Sequence, residues 1–134
     1  MSSYARRKVA SYRHVQNATT TPAQRVVLCY NAVARDLEKA LRAFDDTSPD
    51  RLVDIHNALN HARLILNELR LALDKNAQPA LAESLDDLYG FWINAMSDAN
   101  AKKDPAPLRD IVDMVREMRD AWQQAAATVA AEKR

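Results

Sequence analysis

Pro22, Pro49, Pro79 and Pro105 cut this chain into stretches of similar length, and each stands just ahead of an apolar pattern with helical period. Proline suits the first turn of a helix, where a backbone N–H has no partner and φ near −65° is already helical. Thr21, Ser48 and Asp104 precede three of these prolines and are good N-caps. Thr21-Pro22-Ala23-Gln24 also forms a capping box, with Gln24 able to reach back to the Thr21 amide. Gly90 is the only glycine, and no hairpin dipeptide occurs. This punctuation predicts an all-α fold, an antiparallel four-helix bundle with short connections.

The faces of the helices follow from spacing. Val26, Tyr30, Val33, Leu37, Leu41 and Phe44 form one stripe, and Leu52, Ile55, Leu59, Ala62, Leu66, Leu69 and Leu73 a second. Leu81, Leu85, Leu88, Trp92 and Ala95 form the third; Leu108, Ile111, Val112, Val115, Met118 and Trp122 form the fourth. Tyr30, Leu88, Trp92 and Trp122 are the expected interior anchors. The domain division expected is a basic N-terminal arm over 1–21, the bundle over 22–126, and a frayed alanine-rich tail over 127–134.

Charge and cysteine content narrow the function. Net charge is +1, which disfavours a dedicated nucleic-acid binder. Arg6, Arg7, Lys8 and Arg13 nevertheless make the first thirteen residues strongly basic. Such an arm suits either attraction to anionic surfaces or a solvated, flexible tail. Cys29 is the only cysteine, so no internal disulfide forms and a reducing compartment is expected. No apolar run approaches the roughly 20 residues of a membrane span, so no stable membrane insertion is expected and the chain reads as cytoplasmic.

A second apolar stripe lies outside the core pattern. On a wheel at 100° per residue, Val53, Leu64 and Leu71 fall within about 20° of each other, well over 100° from the core stripe of their helix. Asn57, Asn60 and Asn67 border them. Leu28 sits opposite the core face of the first helix, and Ile93 flanks the core stripe of the third. These are either scattered surface residues, which are ordinary, or a groove for an amphipathic or extended guest.

Catalysis finds little support. The Glu-x-x-His motifs of a di-iron bundle are absent. His56 and His61 are five apart and cannot share a metal from one helical face. Cys29 has no histidine near it in sequence, Glu38, Glu68, Glu83 and Glu117 lie one per helix, and no glycine-rich loop or zinc spacing occurs. No enzyme, metal or cofactor is expected.

The residues themselves point to a family. Tyr12-x5-Ala18-Thr19-Thr20-Thr21-Pro22, followed by Val27-Leu28-Cys29-Tyr30-Asn31-Ala32, resembles the start of the flagellar secretion chaperone family FliS. Asn57-Ala58-Leu59-x5-Ile65-Leu66-Asn67-Glu68-Leu69, then Leu73-Asp74, is similar to the family's second helix. Leu88-Tyr89-x6-Met96-x2-Ala99-Asn100-x3-Asp104 and Arg119-Asp120-Ala121-Trp122-Gln123-Gln124-Ala125 follow at the family's intervals. The resemblance runs from about residue 9 to residue 126, carried by the order and spacing of these motifs. Arg25, Cys29 and Ala32 depart from the family's usual leucine, aliphatic or methionine, and glycine. Gly90-Phe91 stands where Asp-Tyr is usual.

The resemblance implies an all-α chaperone without cofactors. Such a protein binds the C-terminal region of flagellin, disordered in the monomer, blocks premature filament assembly, and presents the subunit to a component of the flagellar type III export gate. A generic helical-bundle adaptor for an amphipathic segment is the alternative. The residues expected to meet the partner are Tyr12, Leu28, Val53, Asn57, Asn60, Leu64, Asn67, Leu71, Tyr89, Ile93 and Asn100. Val9, Tyr12 and Val15 could also fold the arm over the guest track until the guest displaces it.

Overall fold

The structure, a computed structural model, describes residues 22–132. Four helices account for it: α1 (Pro22–Asp45), α2 (Arg51–Leu71), α3 (Pro79–Lys102) and α4 (Ala106–Glu132), with no strand among the described residues. Consecutive helices pack together and α1 also packs on α4, whereas α1 and α3, like α2 and α4, have no backbone approach. The bundle is therefore square in section, with α1 diagonal to α3 and α2 diagonal to α4.

The prolines mark the helix starts, Pro22 and Pro79 as first residues and Pro49 and Pro105 just ahead of α2 and α4. Ser48 Oγ accepts the Asp50 N–H at 3.2 Å, and Asp104 Oδ1 accepts the Ala106 N–H at 3.0 Å. Ala106 is the first residue of α4, so its bond satisfies a donor that has no partner within the helix. The N-cap of α2 is Asp50 rather than the expected Ser48, and it makes no side-chain cap bond. Pro79 opens α3 without a side-chain cap from Gln78. Thr21, the proposed cap of α1, lies outside the described residues, as does the rest of the 1–21 arm. At the other end of α3, Lys103 adopts a left-handed conformation with φ 50° and returns its N–H to the Ala99 carbonyl. Helix α4 continues through the alanine-rich segment to Glu132.

Alternating large and small residues fill the interior. Tyr30, Val33 and Leu37 of α1 are buried together with Ala32, Ala34, Ala40 and Ala43, whose small side chains let neighbouring helices approach. Ile55, Leu59, Ala62, Leu66 and Leu69 of α2 face them, and α4 contributes Leu108, Ile111, Val112 and Val115. An aromatic cluster ties the bundle across its diagonal. Tyr30 meets Trp92 edge-on, with ring centroids 6.0 Å apart, and lies 6.2 Å from Tyr89 and 6.3 Å from Trp122. Such tilted and edge-on pairs add to the burial of their area. Tyr30 and Trp92 are fully interior as expected, while Leu88 and Trp122 are half-buried against the core. The indole N–H groups of Trp92 and Trp122 are enclosed without a hydrogen-bond partner.

Two expected core leucines are not core. Leu52 and Leu81 are 46% and 48% exposed. Both lie in the first turn of their helix, where the periodic pattern continues but the neighbouring helices no longer reach.

Polar side-chain pairs cross three of the four seams among the described residues. His61 Nδ1 of α2 meets Asp36 Oδ2 of α1 at 2.5 Å, Arg70 of α2 meets Asp86 of α3 at 2.9 Å, and Arg116 of α4 meets Glu38 of α1 at 2.9 Å. The Asp86 hydrogen bond raises the Arg70 pKa, and the Arg70 hydrogen bond holds the Asp86 carboxyl below its ordinary value. These partly exposed pairs set orientation more than stability.

Candidate partner-binding surface

The outer face of α2 carries Val53, Asn57, Asn60, Leu64, Asn67 and Leu71 at alternating steps of four and three, so they form one line along the helix. Its ends are open: Val53 is 60% exposed and Leu71 82%. Its middle is not. Leu64 is 9% exposed and belongs to the buried apolar cluster, against the expectation that the whole stripe lies bare. The helical wheel gives the direction of a side chain from its own axis, not what surrounds it. Around Leu64 the flanking Asn60, His61, Asn67 and Glu68 are all half-buried, whereas residues 51–54 and 71–72 are exposed. The stripe is thus two apolar contact points with a covered centre.

The asparagines differ in availability. Asn57 is exposed and Asn67 half-buried, while Asn60 Oδ1 accepts a hydrogen bond from Arg63 Nη2 at 2.7 Å. Asn100 of α3 donates through Nδ2 to His56 Nδ1 at 3.0 Å and accepts from Lys103 Nζ through Oδ1. Its amide already has partners within the chain and must exchange them to serve a guest backbone.

Helix α3 supplies the second wall. Asp86 faces Arg70 and Asn100 faces His56, and Ile93 lies two turns from each on the same flank. Ile93 is half-buried against the core and borders the α2–α3 seam. Gly90 lies on this seam too, beneath the Arg70 guanidinium. Leu28 of α1 is half-buried and is not part of the α2 line. Tyr12 lies outside the described residues.

Tyr89 does not belong to the surface. It is 2% exposed, and its hydroxyl is 2.8 Å from that of Tyr30. The α3 stripe extends around to Tyr89 because α3 buries a face toward the bundle centre as well as toward its two neighbours. Burial pushes the phenols of both Tyr30 and Tyr89 above their ordinary pKa. Phe91, on the far flank of α3, is by contrast 53% exposed, and Met114 of α4 is 36% exposed. The signal for Phe91 was in its register, because it falls off the spacing of Leu81, Leu85, Leu88 and Trp92.

Among the described residues no cluster of histidine, cysteine or acidic side chains could hold a metal, and no helix is long and apolar enough to cross a membrane. Cys29 is half-buried beside the core. What the surface can do is hold an apolar segment with polar groups along it. The class is that of an all-helical four-helix bundle.

Comparison with known proteins makes the class specific. The chain belongs to the FliS family: residues 5–129 match the family described as "Flagellar protein FliS". It is 27% identical over 115 residues to the flagellar secretion chaperone FliS of Bacillus subtilis (strain 168), covering 86% of this chain and 83% of that protein. The Escherichia coli (strain K12) protein of the same name is 25% identical over 126 residues, 90% of each chain. That of Vibrio cholerae serotype O1 is 38% identical over 66 residues, a match spanning about half of each chain, 49% of this one and 48% of the other. The family is one of flagellar secretion chaperones, a non-enzymatic role that implies a protein partner.

Proposed function

We propose that this chain is a cytoplasmic export chaperone for flagellin. It binds the disordered C-terminal region of the subunit, keeps it from polymerising prematurely, and presents it to the flagellar type III export gate. The observation that carries this reading is the outer line of α2, where Val53 and Leu71 stay exposed at the two ends of a helix already buried on its core side. A guest that orders only on binding loses conformational entropy as it does so. Spaced apolar contacts along a shallow track recover that cost better than one deep pocket does. Asn57 and Asn67 lie between those contacts, where an extended stretch of guest needs hydrogen-bond partners.

The test is co-expression with the flagellin of the same host followed by size exclusion. A one-to-one complex is expected, and it should form with a peptide of the flagellin C-terminal region alone. Failure of both to bind, with an unrelated amphipathic peptide binding instead, would favour a generic helical adaptor.

A further inference from the structure

The α3–α4 seam is built unlike the other three. No ion pair crosses it among the described residues. A groove of about 500 Å³ opens there, lined by Phe91, Asn94, Ala95 and Asp98 of α3 and by Pro107, Asp110 and Ile111 of α4. Its floor is apolar. Each wall carries one carboxylate, and no cation lines it. Asp98 has an exposed i,i+4 contact with Lys102 at 3.0 Å, while Asp110 has no ion pair among the described residues. Phe91 is 53% exposed at the groove, and Met114, one turn beyond Asp110, continues the apolar surface.

We propose that this groove is a second docking site, taking a basic amphipathic helix of a partner protein. A trough between two antiparallel helices accepts the side-chain ridge of a third. Phe91 supplies the exposed apolar contact, with the half-buried Ala95 and Pro107 beside it. Asp98 and Asp110 select lysine or arginine along both edges of the incoming helix, and they repel an acidic helix or an anionic lipid surface. The site also lies apart from the outer face of α2, because α2 is diagonal to α4. A guest held on α2 therefore leaves the groove open, and the bundle can hold two segments at once.

The probe is a fluorescein-labelled synthetic helix of leucine and lysine in amphipathic order, titrated into the full chain by anisotropy. A leucine–glutamate helix of the same pattern serves as control. The lysine helix should bind and the glutamate helix should not. Asp110→Lys and Phe91→Ser should each weaken the lysine helix by about tenfold, as expected for centrally placed contacts. Val53→Asp should leave its affinity unchanged. Both groove side chains are exposed, and circular dichroism checks that the variants fold; Asn94→Lys is a further groove variant if either does not. Binding that survives the groove substitutions, is lost with Val53→Asp, or is shared by the glutamate helix would overturn the proposal. So would sedimentation showing the chain dimerising through Phe91, since the occupant would then be a second copy.

Discussion

The hydroxyl of Tyr30 in α1 lies 2.8 Å from the hydroxyl of Tyr89 in α3, joining two helices that sit diagonally across the bundle. Both residues are almost wholly buried, so each hydroxyl depends on the other for a partner that water cannot replace. Tyr89→Phe should therefore destabilise the fold by about 1–3 kcal/mol, the cost of leaving the Tyr30 hydroxyl unsatisfied. Tyr30→Phe together with Tyr89→Phe should cost less than the two single changes added. Urea unfolding of the four proteins measures this, and strict additivity would mean the two hydroxyls are not coupled.

The same pair should make the protein sensitive to alkali. Burial raises both phenol pKa values above the ordinary 10.0. A raised folded pKa gives stability that is fully present below pH 10 and is lost as pH climbs toward the folded value. In that window the unfolded chain releases protons the folded one retains, about 1.4 kcal/mol per pH unit for each tyrosine. Urea midpoints taken from about pH 9 to about pH 11 should fall steeply for the parent and less steeply for the double phenylalanine variant. Parallel curves would show that the tyrosines titrate freely.

Glycine and lysine occupy each other's preferred sites at two points of α3. Gly90 is helical with ordinary φ, and an added Cβ would meet only the Arg70 guanidinium, at 3.7 Å. Gly90→Ala should stabilise by about 0.5–1 kcal/mol through helix preference alone. Lys103 holds φ 50°, the left-handed cap conformation that favours glycine. Lys103→Gly should gain about 1 kcal/mol. Thermal denaturation decides both, and a loss of stability at either position would reveal a contact beyond those described.

The line along α2 separates binding from folding. Val53→Asp and Leu71→Asp should weaken capture of a flagellin C-terminal peptide while shifting stability by no more than about 0.5 kcal/mol, since both side chains are exposed. Leu64→Ala should instead cost about 2–5 kcal/mol, as a buried leucine does. Peptide titration with parallel urea unfolding distinguishes the two outcomes. A Leu64→Ala protein of unchanged stability would return Leu64 to the surface.

Local order fixes what sequence can reveal. Proline at or just ahead of helix starts, Asp104 bonding the first N–H of α4, and apolar residues at steps of three and four act within a few residues of themselves. They announced four helices, and they placed Tyr30, Leu37, Leu66, Trp92 and Ile111 inward. The motif order that resembles FliS was legible for the same reason, because the family match rests on spacing along the chain. Depth was not legible. Leu52 and Leu81 keep the core period yet stand beyond the reach of their neighbours, and Leu64 breaks the period yet is enclosed. Tyr89 depended on a residue 59 positions away for its partner, and so moved from the surface to the centre. The α3–α4 groove arises from side chains that spacing alone assigns to separate helices. Periodicity reports the direction of each side chain from its own helix, whereas burial and adjacency depend on where the other three helices lie.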